Sequence, residues 1–133
     1  MKIDHLGIAV RSIDRAVAFY SGQLGLEVAH RETVEHENVR VAMLPTADSR
    51  LELLEPTTED SAVGRFLAKR GEGLHHVALR TRDFTATIER LRSSGARLLN
   101  EPRVGAGGHT YVFVHPESTG GVLLELIEDK ETA

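Results

Sequence analysis

The 133-residue chain contains no cysteine. Disulfides and thiolate metal sites are therefore excluded, and a reducing compartment, the cytoplasm, is the expected location. There is no tryptophan and there are only two tyrosines, which leaves little for stacking bases. The formal net charge is −4, both signs are scattered, and no Lys/Arg stripe appears. Nucleic acid is not expected as a partner. The opening stretch MKIDHLGIAV is broken by Asp4 and His5. It is read as neither a leader peptide nor a membrane span, and no membrane partner is expected. What is present is an ordinary share of apolar residues, 41%, enough for one domain or for two small units fused through one core.

The order of the predicted elements carries the first strong signal. Ile3–Val10 alternates as a strand. Ser12 can cap a helix whose apolar face is Ile13, Ala16, Val17 and Tyr20, with Arg15 where a capping box would place Glu or Gln, and Gly25 ends it. Strands are predicted at Leu26–Arg31, Asn38–Leu44 and Arg50–Glu55, with Pro56 stopping the last. Ser61–Arg70 is a helical connector ended by Gly71 and Gly73. The order then restarts. Leu74–Thr81 is a strand, Asp83 caps a helix with apolar face Phe84, Ile88 and Leu91, and Gly95 closes it. Arg97–Asn100, Thr110–Val114 and Val122–Ile127 complete the second half.

One offset relates the halves. His5 and His76, Ile13 and Phe84, Val17 and Ile88, and Tyr20 and Leu91 each lie 71 residues apart. Any two amphipathic helices can be aligned, but that does not account for the histidines, so the halves are read as a duplication. The expected fold is α+β: two tandem βαβββ modules forming a curved mixed sheet around a metal-binding cleft. Module 1 covers about residues 1–56, a connector 57–72, and module 2 about 73–129, within one domain.

Each half opens with a strand histidine and closes with a carboxylate inside an apolar strand: His5 and Glu52, then His76 and Glu125. Glu125 lies two residues late for the offset, and extra residues at Gly105–Gly108 are expected to absorb this. Burying an ionised carboxylate is costly unless it is paired or binds a metal. A half-exposed strand would instead turn Glu125 to water, but Leu123 and Ile127 share its face. A lone strand histidine is more often a hydrogen-bonded core residue than a ligand. Two at equivalent positions, joined by two equivalent glutamates, favour a metal. Adjacent strand residues face opposite ways, so only one of His75 and His76 can enter the cleft, and the offset selects His76. His30, His36, His109 and His115 are read as surface or turn residues, and Glu55 and Glu128 as solvated charges. Two imidazoles and two carboxylates suit one divalent ion among Co, Mn, Ni, Zn and Fe.

These residues also resemble a known family. The segments DHLGIAV (4–10), FYSGQLGLEV (19–28), LELLEPTTEDS (51–61), FLAKRGEGLHHVAL (66–79), GAGG (105–108) and HPESTGGVLLEL (115–126) are similar over nearly the whole chain to the methylmalonyl-CoA epimerase family of the vicinal oxygen chelate superfamily. The resemblance places metal ligands on His5, Glu52, His76 and Glu125. It implies interconversion of (R)- and (S)-methylmalonyl-CoA through an enolate stabilised by the ion, an acyl-CoA substrate as partner, and a homodimer. Two acid/base groups on opposite faces of the substrate are then expected. Glu125 is the candidate for one. In some relatives the other is a carboxylate on the third strand of the first repeat, where this chain reads Val39-Arg40-Val41-Ala42-Met43. Glu35, Glu37 or a metal-bound water are the candidates here. A lysine common in the family's loop is replaced by Glu117, leaving Arg103, Lys69 or Arg70 to meet a CoA phosphate.

Two other classes remain. A glyoxalase-type lyase would use the same four ligands, whereas an extradiol dioxygenase needs only two His and one Glu. A protein that sequesters a small molecule would need no ligands at all, and all four are present.

Overall fold

The computed structural model describes residues 1–130. The chain falls into two compact units, one of His5–His75 and one of Met1–Asp4 with the residues from His76 onward.

The first unit is built from β1 (Lys2–Ala9), whose first three residues belong to the second unit, with α1 (Ile13–Val17), β2 (His30–Val34), β3 (Val39–Pro45), β4 (Arg50–Pro56) and α2 (Ala62–Arg70). Its strands lie in the order β2-β3-β4-β1. The β2–β3 and β3–β4 pairs are antiparallel and β1 runs parallel to β4. The second unit holds β5 (Gly73–Thr81) apart from its first three residues, α3 (Phe84–Ser93), β6 (Arg103–Val104), β7 (Thr110–Val114), α4 (Pro116–Thr119) and β8 (Leu124–Glu128). Its order is β5-β8-β7-β6, with β5 parallel to β8 and the other pairs antiparallel. First strand beside last, parallel, with a helix between: both units have one topology.

In each unit the helix covers one face of its strands. Ile13, with Ala16, Val17 and Tyr20, packs on Ala42, Leu44 and Leu53. Phe84 and Ile88, with Leu91, pack on Val112, Val114 and Leu126. Alternation along the strands sends their neighbours to the opposite face. Val41, Met43, Glu52 and Leu54 go there in the first unit; Tyr111, Phe113, Glu125 and Ile127 go there in the second.

Three sequence expectations need correction. Leu26–Arg31 is not a strand, since β2 starts at His30. Helix α1 continues as a π-helical turn over Ala18–Gln23, and Gly25 follows in a left-handed conformation with φ +89°. Leu26 and Val28 then pack against the core under the helix, so their apolar spacing serves packing and not a ladder. Arg97–Asn100 likewise forms only an isolated bridge, Leu98 to Val114. The Asn100 side chain accepts from the Phe113 amide at 2.9 Å in place of a backbone partner, and the edge strand β6 comes later.

Third, Gly105–Gly108 does not absorb the late Glu125. Met43 pairs with Glu52, and Phe113 pairs with Glu125. Met43 and Phe113 are 70 residues apart, against 73 for the two glutamates, so the extra residues fall between β7 and β8. Helix α4 sits there, capped by the His115 imidazole, whose Nδ1 accepts from the Glu117 amide at 3.0 Å.

Candidate metal centre

Parallel registry sets each histidine beside its glutamate. Gly7 pairs with Glu52, so His5 stands two residues earlier on the same face of β1. Ala78 pairs with Glu125, so His76 stands two residues earlier on the same face of β5. The equivalence seen in sequence thus has a cause in the strand pairing of each unit.

All four side chains are buried: His5 is 2% exposed, Glu52 5%, His76 4% and Glu125 9%. In the first unit His5 Nε2 lies 3.5 Å from Glu52 Oε2. In the second His76 Nε2 lies 3.0 Å from Glu125 Oε1. His76 also meets the Phe113 ring edge-on at 5.5 Å between centroids, which fixes the imidazole plane. His75 points elsewhere and packs on Phe66 at 5.0 Å.

The donor set fits a divalent ion. Adjacent ligands about 2.1 Å from one ion stand about 3.0 Å apart at an octahedral angle and about 3.4 Å apart at a tetrahedral one. The 3.0 Å pair meets that spacing and a hydrogen bond equally. The 3.5 Å pair is longer than an ordinary N–H···O bond, yet close to the spacing of two donors aimed at a common point. Imidazole nitrogen with carboxylate oxygen is the mixed set that borderline divalent metals accept.

One feature of the second unit escaped sequence reasoning. Asp4, the residue before His5, is 5% exposed and accepts from Arg80 Nε at 2.9 Å. The guanidinium makes a second contact to the same oxygen through Nη2. This ties the start of β1 to the end of β5. Removing one partner of a buried ion pair leaves the other uncompensated. Arg80→Ala is expected to lower unfolding free energy by about 3 kcal/mol, read from the urea midpoint. An unchanged midpoint would show that the pair holds nothing.

Glu35 and Glu37 lie in a 3-10 turn between β2 and β3, which Asn38 closes in a left-handed conformation with φ +52°. Neither stands on a strand face. Glu55 is not a solvated charge. Its Oε1 accepts from the Ile13 amide at 2.8 Å, at the start of α1, and its Oε2 takes Arg40 at 2.7 Å. Glu117 pairs with Arg97 at 3.3 Å on the surface. Arg70 lies over the Phe66 ring at 5.8 Å. Arg103 pairs with Tyr111, which pairs with Ile127, so its strand position shares a face with Glu125.

Comparison with known proteins agrees with this architecture. Residues 4–113 match the Glyoxalase/Bleomycin resistance protein/Dioxygenase superfamily. The uncharacterized protein YqjC of Bacillus subtilis is 44% identical over 97% of this chain and 93% of its own. The ethylmalonyl-CoA/methylmalonyl-CoA epimerase of Cereibacter sphaeroides is 35% identical over 94% of this chain and 96% of its own. A solved methylmalonyl-CoA epimerase from Streptomyces coelicolor, in complex with 2-nitronate-propionyl-CoA, is 47% identical. It superposes with a TM-score of 0.92 over 98% of this chain and 99% of its own. The fold is therefore the vicinal oxygen chelate fold expected from the sequence, and the chain belongs to the glyoxalase/bleomycin resistance protein/dioxygenase superfamily, with methylmalonyl-CoA epimerases among its relatives.

Proposed function

We propose that this protein interconverts the two epimers of methylmalonyl-CoA with one divalent ion held by His5, Glu52, His76 and Glu125. The observation that carries the reading is the pair of buried imidazole–carboxylate couples at equivalent places in two repeats. A surface charge would not need such a setting, and a core with no ligand would gain more from apolar side chains.

When bound, the ion supplies Lewis-acid polarisation of the thioester carbonyl, which makes the neighbouring C–H more acidic. The chain's residues do the rest. The two histidines and Glu52 hold the site's shape. Glu125, a ligand whose carboxylate has two oxygens, exchanges a proton with the α-carbon from one face. Phe113, Tyr111 and Ile127 line the strands around Glu125 and help exclude water from it. For the CoA phosphates Arg103 is preferred, because its register puts it on Glu125's face while Arg70 is engaged with Phe66.

The division into module 1 (1–56), connector (57–72) and module 2 (73–129) is part of this reading. So are a cytoplasmic location, supported by the absence of cysteine, and a homodimeric state, supported by the family resemblance. Among the described residues no helix is long and apolar enough to cross a membrane. The test is direct: incubate one epimer of methylmalonyl-CoA with protein loaded with Co, Mn, Ni or Zn, and separate the epimers by time. Growth of the opposite epimer to an equal mixture is expected. No interconversion with any of these ions rejects the activity.

A further inference from the structure

Epimerisation needs a second proton-transfer group, and Glu125 fills only one role. In the first unit the β3 side chains on the face of Glu52 are Val39, Val41 and Met43, none of which can carry a proton. The register continues outward to the edge strand. Glu52 pairs with Met43, and Met43 with His30. Leu54 pairs with Val41, and Val41 with Glu32. So β2 presents two polar side chains, His30 and Glu32, on the same face as His5 and Glu52. They are joined to each other, His30 Nε2 to Glu32 Oε1, at 2.9 Å.

We propose that Glu32 is the second acid/base group, held in place by His30. This rests on the epimerase reading above. Glu32 stands two strands from Glu52, about 10 Å across the sheet at ordinary strand spacing. That separation leaves room for a substrate carbon between it and groups at the metal site. Val41, the side chain between on β3, is short and apolar. The Glu32 side chain is 30% exposed, so it can exchange its proton with water between turnovers.

The step balances as follows. The α C–H bond breaks and its proton passes to the Glu32 carboxylate. The bonding pair spreads onto the thioester carbonyl oxygen as an enolate. The Glu125 carboxyl returns a proton to the opposite face, and the C–H bond forms there with inverted configuration. Glu32 ends protonated and Glu125 ionised, and both reset by exchange with water. The reverse reaction uses the same groups with roles exchanged.

The experiment compares wild type with Glu32→Gln, each metal-loaded, on each epimer in deuterium oxide. Interconversion is expected to fall about 10²- to 10⁴-fold, the usual contribution of one such group. Metal content should be unchanged. Deuterium uptake should persist, with configuration retained, in the one epimer whose proton Glu125 removes. A double variant, Glu32→Gln with Val41→Glu, moves the carboxylate to the paired position on β3, and at least a tenfold recovery is expected. Glu32→Gln interconverting within a few-fold of wild type would overturn the assignment. So would loss of uptake in both epimers with metal retained. A wild type that does not interconvert them fails the function reading instead.

Discussion

His76→Ala is expected to abolish activity and to lower metal affinity by more than about 100-fold, since even the residues that merely orient ligands are worth 10–100-fold. His76 is buried to 4% exposure and stands 3.0 Å from Glu125. Its removal takes away one nitrogen donor and leaves a buried carboxylate without its neighbour. The Lewis-acid contribution lost with the ion is several kcal/mol of charge stabilisation, about 10³-fold or more in rate. Because the imidazole also packs on Phe113, a stability control is needed. His75→Ala serves, as that ring packs on Phe66 away from Glu125. Metal content by mass spectrometry and the interconversion rate should both collapse for His76→Ala and both survive in His75→Ala. A fully loaded, active His76→Ala protein would remove it from the ligand set.

The second large effect concerns the ion itself. A ligand that binds only the folded chain stabilises it by about 4 kcal/mol at a thousandfold excess over its dissociation constant. For a domain of this size each kcal/mol moves the melting temperature by a few degrees, so chelation should lower it by about 10–20 °C. Activity should vanish with it, and both should return on adding Co, Mn, Ni or Zn. The melting curve reads binding of the ion directly, because any ion that occupies the folded site must also stabilise it. An unchanged melting temperature after verified metal removal would mean that the buried donors do not bind an ion.

Much of the fold was legible because the helices and the first and last strands of each half bury one face. Ile13, Ala16, Val17 and Tyr20 follow a helical period, and they pack where that period says. The middle of each half was less legible. Leu26 and Val28 alternate like a strand, yet they pack beneath α1 while the backbone forms no ladder of its own. Periodicity records which side chains are buried and not how the backbone is paired. A strand predicted to end at Arg31 leaves out Glu32, which β2 includes, while Glu35 and Glu37 lie in the turn between β2 and β3. Extending the alternation His30, Glu32, Val34 by three residues would have put Glu32 on the inward face.

Glu55 was misread for a related reason. A carboxylate at a strand end is ordinarily solvated, but here the strand ends beside the start of α1, where an unpaired amide awaits an acceptor. Sequence spacing across 42 residues gives no hint of that meeting. The two His–Glu couples, by contrast, could be read in advance, since repetition itself identified them. Their spacing then follows from β1 running parallel to β4 and β5 to β8.

The central claim is that both couples serve one ion. Calorimetric titration of the metal-free protein with Zn or Co tests it most directly. One ion per chain is predicted, with the binding lost in His5→Ala from the first repeat and equally in His76→Ala from the second. Two ions per chain, each lost with only one of these substitutions, would contradict it.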